Sequence, residues 1–345
     1  MDAHFDNDTF IRALQRKKTK FTPIWIMRQA GRYLPEFRSI REKNPNFVDL
    51  CLNENLTNEI TLQPIKRFDL DAAIIFSDIL MIPYGLGQKV SFKKNFGPQL
   101  GPINLKDIKS HSERKFKKRL EPVYKSMNMI KKDKMIKKKE LVGFVGGPWT
   151  ILVYMLNRIS PKRNLKKIFS DKPLIMDMIE YLNCFIELHI DKQIKSGADV
   201  IQVFDSWAGL VKEKNIEDFI YNPTKRLVKF TKSMNTPCIC FPRNIKNYYD
   251  YTQVVNPDVI SIDYNVDPRK ILKKIEIPIQ GGMNPRVLLT SKNNLKKITN
   301  YYLDIFKNHP YIFNLGHGVL PETDPSMVEY LIKIVRKFND RTPKN

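Results

Sequence analysis

Cysteine is scarce in this chain, with four thiols among 345 residues. They stand at Cys51, Cys184, Cys238 and Cys240, and no two form the Cys-x-x-Cys pair of a redox centre or a zinc ribbon. Scattered thiols of this kind fit a reducing compartment. No apolar run approaches the roughly 18 residues that a membrane-spanning helix needs. The opening stretch MDAHFDNDTF also lacks the basic and apolar parts of a secretory signal. These absences predict a cytoplasmic protein with no membrane partner. Internal repeats and low-complexity tracts are missing too, and neither a Gly-x-Gly-x-x-Gly turn nor a phosphate-binding loop follows any strand-like run.

Acidic residues are in short supply: 36 Asp and Glu face 59 Lys and Arg, a net charge of +23. A surplus of that size suggests a nucleic-acid-binding protein. Yet the excess is mostly lysine, accompanied by asparagine and isoleucine, residues with A/T-rich codons, and no zinc-finger spacing or RNA-recognition signature goes with it. The surplus therefore reads as a solvated surface with no nucleic-acid partner, although its field would attract an acidic small molecule. Hydrophobic residues at 42% and aromatics at 11% belong to a globular chain, not a disordered one.

What the sequence does contain alternates. Eight short apolar runs read as strands: Pro23–Met27, Ala72–Phe76, Leu141–Gly146, Ala198–Phe204, Pro237–Phe241, Asp258–Asp263, Pro278–Gly282 and Tyr311–Gly316. Helical patterns lie between them. Leu174, Met178, Leu182, Phe185, Ile186 and Ile190 step by three or four, and Gly197 closes their run as a C-cap would. The last helix opens with Asp324-Pro325, a cap followed by a first-turn proline. Short, nearly all-apolar strands are those buried on both faces of a parallel sheet. Eight of them separated by helices predict an α/β fold: a single (β/α)8 TIM-type barrel over 1–345, its active-site cleft at the C-terminal ends of the strands. A doubly wound open sheet is the alternative. The longest connection runs from Ser77 to Glu140, first as a Gly- and Pro-rich stretch that reads as a long loop, then as a lysine-rich helix over Glu113–Lys139.

A barrel assembles its site on the loops that follow its strands. Arg28 and Arg32 follow the first run, Ser77 and Asp78 the second, the stretch ending at Tyr154 the third, Asp205 and Ser206 the fourth, and Gly316-His317-Gly318 the eighth. Each has a structural alternative. Asp78 and Asp205 would serve as helix caps, Tyr154 as core, and His317 as an exposed loop residue. In IWIMRQAGRYLPEFRSIR, the residues Arg28, Arg32, Arg38 and Arg41 have Glu36, Glu42 and Asp49 nearby for a salt network. Guanidinium groups so close behind an apolar run need anionic partners, supplied by the chain or by a ligand. Convergence on one face favours the ligand.

PIWIMRQAGRYLPEFR closely resembles the N-terminal signature of the uroporphyrinogen decarboxylase family. AAIIFSDIL, GFVGGPWTILVYML, FDSWAG, IQGGMNP and FNLGHGVLPETDP resemble its later blocks in the same order, from about Phe10 to Phe338. The resemblance implies a cofactor-independent carboxy-lyase, a homodimer that converts the four acetate side chains of uroporphyrinogen III to methyl groups and yields coproporphyrinogen III. It implies that Arg28, Arg32 and Arg41 bind or polarise substrate carboxylates. Asp78 would accept hydrogen bonds from the pyrrole N–H groups, and Tyr154, Ser206 and His317 would contact further side chains, with no direct contact for Arg38. The catalytic pair it points to is Asp78 as cation stabiliser and Arg28 as carboxylate binder or acid. A guanidinium with a pKa above about 12 is a poor acid, so an arginine-bound water or a substrate carboxyl is the alternative proton carrier. Gly146-Gly147-Pro148 departs from the family's common Gly-Ala-Pro. Zinc-dependent cobalamin or thiol methyltransferases share this barrel and ligate zinc through His-x-Cys and a distant Cys. Cys238 and Cys240 lie on one strand face, and without a third ligand nearby they read as packed thiols with no metal.

Overall fold

The computed structural model describes residues 9–17, 19, 21–93, 96–103, 112–161, 165 and 167–339. The acidic opening stretch 1–8 and residues 94, 95, 104 and 105 of the Gly- and Pro-rich connection lie outside them. Its strands are Ala72–Ile74 (β1), Val90–Lys93 (β2), Gly97–Leu100 (β3), Glu140–Gly146 (β4), Val200–Asp205 (β5), Cys238–Pro242 (β6), Val259–Ile262 (β7), Ile279–Gly281 (β8) and Tyr311–Ile312 (β9). Among the described residues, seven form one sheet in the order β1-β4-β5-β6-β7-β8-β9, every pairing parallel. Strands that neighbour in sequence neighbour in space, with helices between them, so the fold is α/β with the alternation expected.

The period of two along each strand sorts its side chains into two cores. Val142, Val200, Ile239, Phe241, Val259 and Ile312 gather with Ala72, Trp25 and Met27 in one cluster. Side chains from both sheet edges, β1 and β9, meet there, so the sheet is curled. The short helix Thr9–Leu14 adds Phe10, Ala13 and Leu14 to the same cluster. Residues of the opposite parity, among them Leu141, Ile201, Cys238, Cys240 and Ile260, join the larger cluster formed with the helices.

The first expected strand, Pro23–Met27, is not a regular strand. Ile24 makes one isolated parallel bridge with Phe313. On that side Phe313 N donates to Pro23 O at 2.8 Å, and on the other Asp71 N donates to Ile24 O at 2.9 Å. The reason lies in the donors. Pro23 has no N–H, and the N–H groups of Ile24, Ile26 and Met27 go to side chains: Asp71 Oδ2 at 2.6 Å, Gln29 Oε1 at 3.1 Å and Asn314 Oδ1 at 2.9 Å. Side-chain acceptors have taken the place of a strand ladder.

The connection after β1 also departs from the long loop expected. It folds into a helical turn, Met81–Gly85, and the antiparallel hairpin β2–β3 with Val90 opposite Leu100. Val90 points inward, and Gly97 supplies the positive φ of 78° that the turn requires. The lysine-rich segment is helical over Glu113–Lys132, with Phe116, Leu120, Met127 and Ile130 on its buried stripe, and it ends seven residues short of the expected Lys139 because Asp133 starts a new turn by accepting from Met135 N.

Helix Lys172–Lys195 buries Met178, Leu182, Ile186 and Ile190, and Gly197 follows it at φ 111°. Asp324 caps the last helix, Pro325–Asn339, by accepting from Ser326 N at 2.8 Å. Arg336 in this helix reaches back to Asp69 at 2.9 Å and to Asp71 at 3.0 Å. Asp71 therefore holds both the final helix and the backbone of Ile24. Among the described residues no helix is long and apolar enough to cross a membrane.

Candidate active site

Backbone bonds bring the two ends of the chain together at the site. Met27 N donates to Asn314 Oδ1, and Val319 N donates to Met27 O at 3.0 Å. The next residue, Arg28, adopts φ 62°. That left-handed conformation costs a non-glycine residue on the order of 1 kcal/mol or more, strain that is commonly kept where a side chain must be aimed. Arg28 lies directly against Gly318, where an added Cβ would stand 2.3 Å from Arg28 Cδ. At Gly316 the same atom would meet Tyr264 N at 2.3 Å. Backbone therefore restricts position 316 to glycine, whereas at 318 a side chain would displace the Arg28 stem.

Asp78 follows β1. Its Oδ1 accepts from Leu80 N at 2.8 Å, which ties the turn before helix Met81–Gly85 and does not cap that helix. Its other surroundings are those of a site. Burial pushes its pKa up to about 6, against the pull of the Leu80 N–H and the Arg28 charge. Burial likewise lowers Arg28 from its ordinary value, opposed by Asp78 and Tyr154. Arg28 is nonetheless exposed to solvent.

Tyr154, from helix Pro148–Asn157, has its phenol raised by burial, with the charges of Asp78 and Arg28 acting in opposite directions. His317 is held down at about 4 by burial, then by the positive charges of Arg28 and Arg243. It is therefore uncharged at neutral pH. Arg32 lies near enough to lower both Arg28 and Arg41. Arg41 donates to Asn44 O, and its guanidinium stands 5.8 Å from the Phe47 ring centroid.

The salt network with local acids is not what the chain builds. Glu36 pairs with Arg67 through two bonds of 2.9 Å. Asp49 accepts from Asn46 at 2.6 Å. Among the described residues none of Arg28, Arg32, Arg38 and Arg41 forms an ion pair. Arg38 instead donates to the carbonyls of Arg32 and Tyr33, both at 3.0 Å, and so holds the turn that carries Arg32.

A sequence profile described as Uroporphyrinogen decarboxylase (URO-D) matches residues 5–338. This chain belongs to the uroporphyrinogen decarboxylase family. A protein named uroporphyrinogen decarboxylase from Rickettsia bellii (strain RML369-C) is 39% identical over 323 residues, 92% of this chain and 95% of that protein. One of the same name from Orientia tsutsugamushi (strain Ikeda) is 39% identical over 338 residues, 95% of this chain and 98% of its own length. Among solved structures, a methyltransferase from Methanosarcina mazei superposes with a TM-score of 0.78 over 96% of this chain and 98% of its own, at 15% identity, a likeness of fold alone.

Where this uroporphyrinogen decarboxylase family member has Gly147, an added Cβ would meet the Asp205 carboxyl carbon at 2.6 Å. Asp205, fully buried, accepts from Thr150 Oγ1 at 2.5 Å, and Thr150 Oγ1 in turn accepts from Trp207 N at 2.9 Å. Burial pushes Asp205 up to about 7. This chain of bonds shapes the turn bearing Ser206, which is half-buried. Among the described residues nothing connects the Ser206 hydroxyl to the Arg28, Asp78 and His317 group. Cys238 and Cys240 are buried on the helix-facing side of β6. Among the described residues no three His, Cys, Asp or Glu side chains are grouped to hold a metal ion.

Sequence reasoning missed one group in this neighbourhood. Arg243 follows β6, and its charge acts on both Arg28 and His317. Its position at the C-terminal end of a strand is the signal that would have found it.

Proposed function

We propose that this chain decarboxylates uroporphyrinogen III at its four acetate side chains to give coproporphyrinogen III and CO2. The family's chemistry needs no external electron sink. Protonating a pyrrole carbon makes an iminium-like cation, which accepts the electron pair released as the C–C bond to CO2 breaks. A second proton then completes the methyl group, and the ring carbon gives up the first as the pyrrole is restored, so one proton is consumed overall for each CO2 released.

The observation that carries this reading is the Asp78 carboxylate beside Arg28, next to arginines of which, among the described residues, none forms an ion pair. Asp78, largely ionised at neutral pH, accepts from the pyrrole N–H groups and stabilises the cation as it forms. Arg28, Arg32 and Arg41 bind substrate carboxylates through forked hydrogen bonds. Burial lowers Arg28, which supports its second role as the acid. Neutral His317, together with Tyr154 and Ser206, contacts the remaining side chains.

The cleft belongs to one barrel domain spanning 1–345, with Pro23–Met27 as its eighth stave. Bonds from Ile24 and its neighbours to Phe313 on one side and to Asp71 on the other support that closure. The active form is a cytoplasmic homodimer. The test is anaerobic incubation with freshly reduced uroporphyrinogen III, products being oxidised and separated by carboxylate number, beside Asp78→Asn. Tetracarboxylic product from the unaltered protein and little from the variant is the expected result, whereas an intact octacarboxylate in both samples would refute the assignment.

A further inference from the structure

We infer that Arg243 is a substrate-carboxylate anchor, set across the mouth from Arg28 to hold the pyrrole ring opposite the one undergoing reaction. The inference rests on the decarboxylase reading and extends it to a residue no sequence motif pointed to. The backbone of Arg243 is fixed, its N donating to Asp205 O at 3.1 Å and its O accepting from Gly209 N at 3.1 Å. Its side chain is not. Arg243 Nε is closed off from solvent with no hydrogen-bond partner, and among the described residues the guanidinium forms no ion pair.

A buried charged donor left without a partner is rare in a finished fold and calls for an explanation. Asp263 is the acid that faces this region, together with Tyr248, His317 and Arg28. The Asp263 carboxylate is already taken up: Oδ2 accepts from Asn244 N at 2.8 Å and from Tyr248 Oη at 3.0 Å, and Oδ1 accepts from Asn265 N at 2.8 Å. His317 is uncharged at neutral pH and Arg28 carries the same sign. Among the described residues no carboxylate forms an ion pair with Arg243, which leaves its guanidinium open to an anion from outside.

Placement identifies which part of the substrate that is. In the sheet order, β6 has three strands on either side, and Pro23–Met27 lies where the two edges meet. Arg28 and Arg243 therefore face one another from opposite sides of the mouth. A macrocycle with carboxylates around its whole rim is the ligand shape that would occupy both at once. Holding a remote side chain orients the ring without taking part in bond breaking, so its loss should weaken binding more than turnover.

Arg243→Met and Arg243→Lys test this with three readouts: steady-state kinetics on uroporphyrinogen III, affinity for oxidised, unreactive uroporphyrin, and thermal unfolding. For Arg243→Met the expected result is a KM raised roughly ten- to hundredfold, the range of one charge-assisted hydrogen bond, with kcat within about threefold. Uroporphyrin affinity should fall in parallel, Tm should hold, and lysine should restore part of the loss. Repeating the KM comparison with partly decarboxylated substrates identifies the arm: a constant ratio supports a propionate partner, and a ratio that shrinks as acetates are lost supports an acetate. Unchanged KM and uroporphyrin affinity would overturn the inference, as would a fall in kcat and Tm at constant KM. If the unaltered protein leaves uroporphyrinogen intact, the decarboxylase reading fails on its own, and the uroporphyrin-binding comparison still decides the role of Arg243.

Discussion

Arg28 and Gly318 are 290 positions apart in the chain, yet a methyl group on Gly318 would come within 2.6 Å of Arg28 Cγ and 2.3 Å of its Cδ. The arginine block and the Gly-His-Gly block therefore form one structure, in which glycine makes room for a guanidinium stem. Gly318→Ala should fold, because the atoms it displaces belong to a movable side chain. Moving Arg28 should cost activity on the order of a hundredfold, the scale of a misplacement of about 1 Å. Kinetics beside thermal unfolding checks this, and a large drop in Tm with normal specific activity would contradict it.

Asp78 works against stability. Its pKa is raised from 3.8 to about 6 in the fold, so its neutral form is favoured there. For such an acid the folded state loses stability as pH rises from about 4 through 6, and the loss is complete at neutral pH. Asp78→Asn keeps an oxygen for the Leu80 N–H and removes the buried charge. It should gain up to about 3 kcal/mol in urea unfolding at pH 7.5 and none at pH 3.5, while decarboxylation is lost.

The same group sets the acid limb of activity. If the ionised carboxylate is the working form, kcat/KM should fall tenfold per pH unit below about 6. Arg28 pulls that value down, so in Arg28→Met the Asp78 carboxyl should titrate at higher pH. Carbon-13 NMR of labelled aspartate reads the shift directly, and a downward shift in the variant would show that the two do not interact as described.

Arg336 ties the last helix to Asp69 and Asp71 with only 19% of its side chain exposed. Arg336→Ala leaves Asp71 holding Ile24 N without its ion-pair partner, and should cost about 2–4 kcal/mol in urea unfolding. Arg336→Lys should recover part of this. Because the site lies at the other end of the strands, the folded variant should keep its kcat, which steady-state assays below its unfolding range would verify.

Sequence by itself determined where the seven sheet strands lie, because apolar runs buried on both faces are local signals. It also determined the helices at Lys172–Lys195 and Pro325–Asn339, whose apolar stripes and caps lie within a few residues of each other. Family membership was legible for the same reason, since each motif is short and contiguous. Tertiary structure alone decided the rest. Pro23–Met27 has the composition of a strand, but its N–H groups are claimed by Asp71, Gln29 and Asn314, two of them distant in sequence. The hairpin β2–β3 was hidden by the Gly and Pro around it. Glu36 looked available to the arginines beside it until Arg67, 31 positions on, took both of its oxygens. Arg243 carries no motif, and only folding brings its charge near enough to act on His317 and Arg28. Periodicity and short motifs are properties of neighbours along the chain, whereas ion pairing, desolvation and close contact depend on neighbours in space.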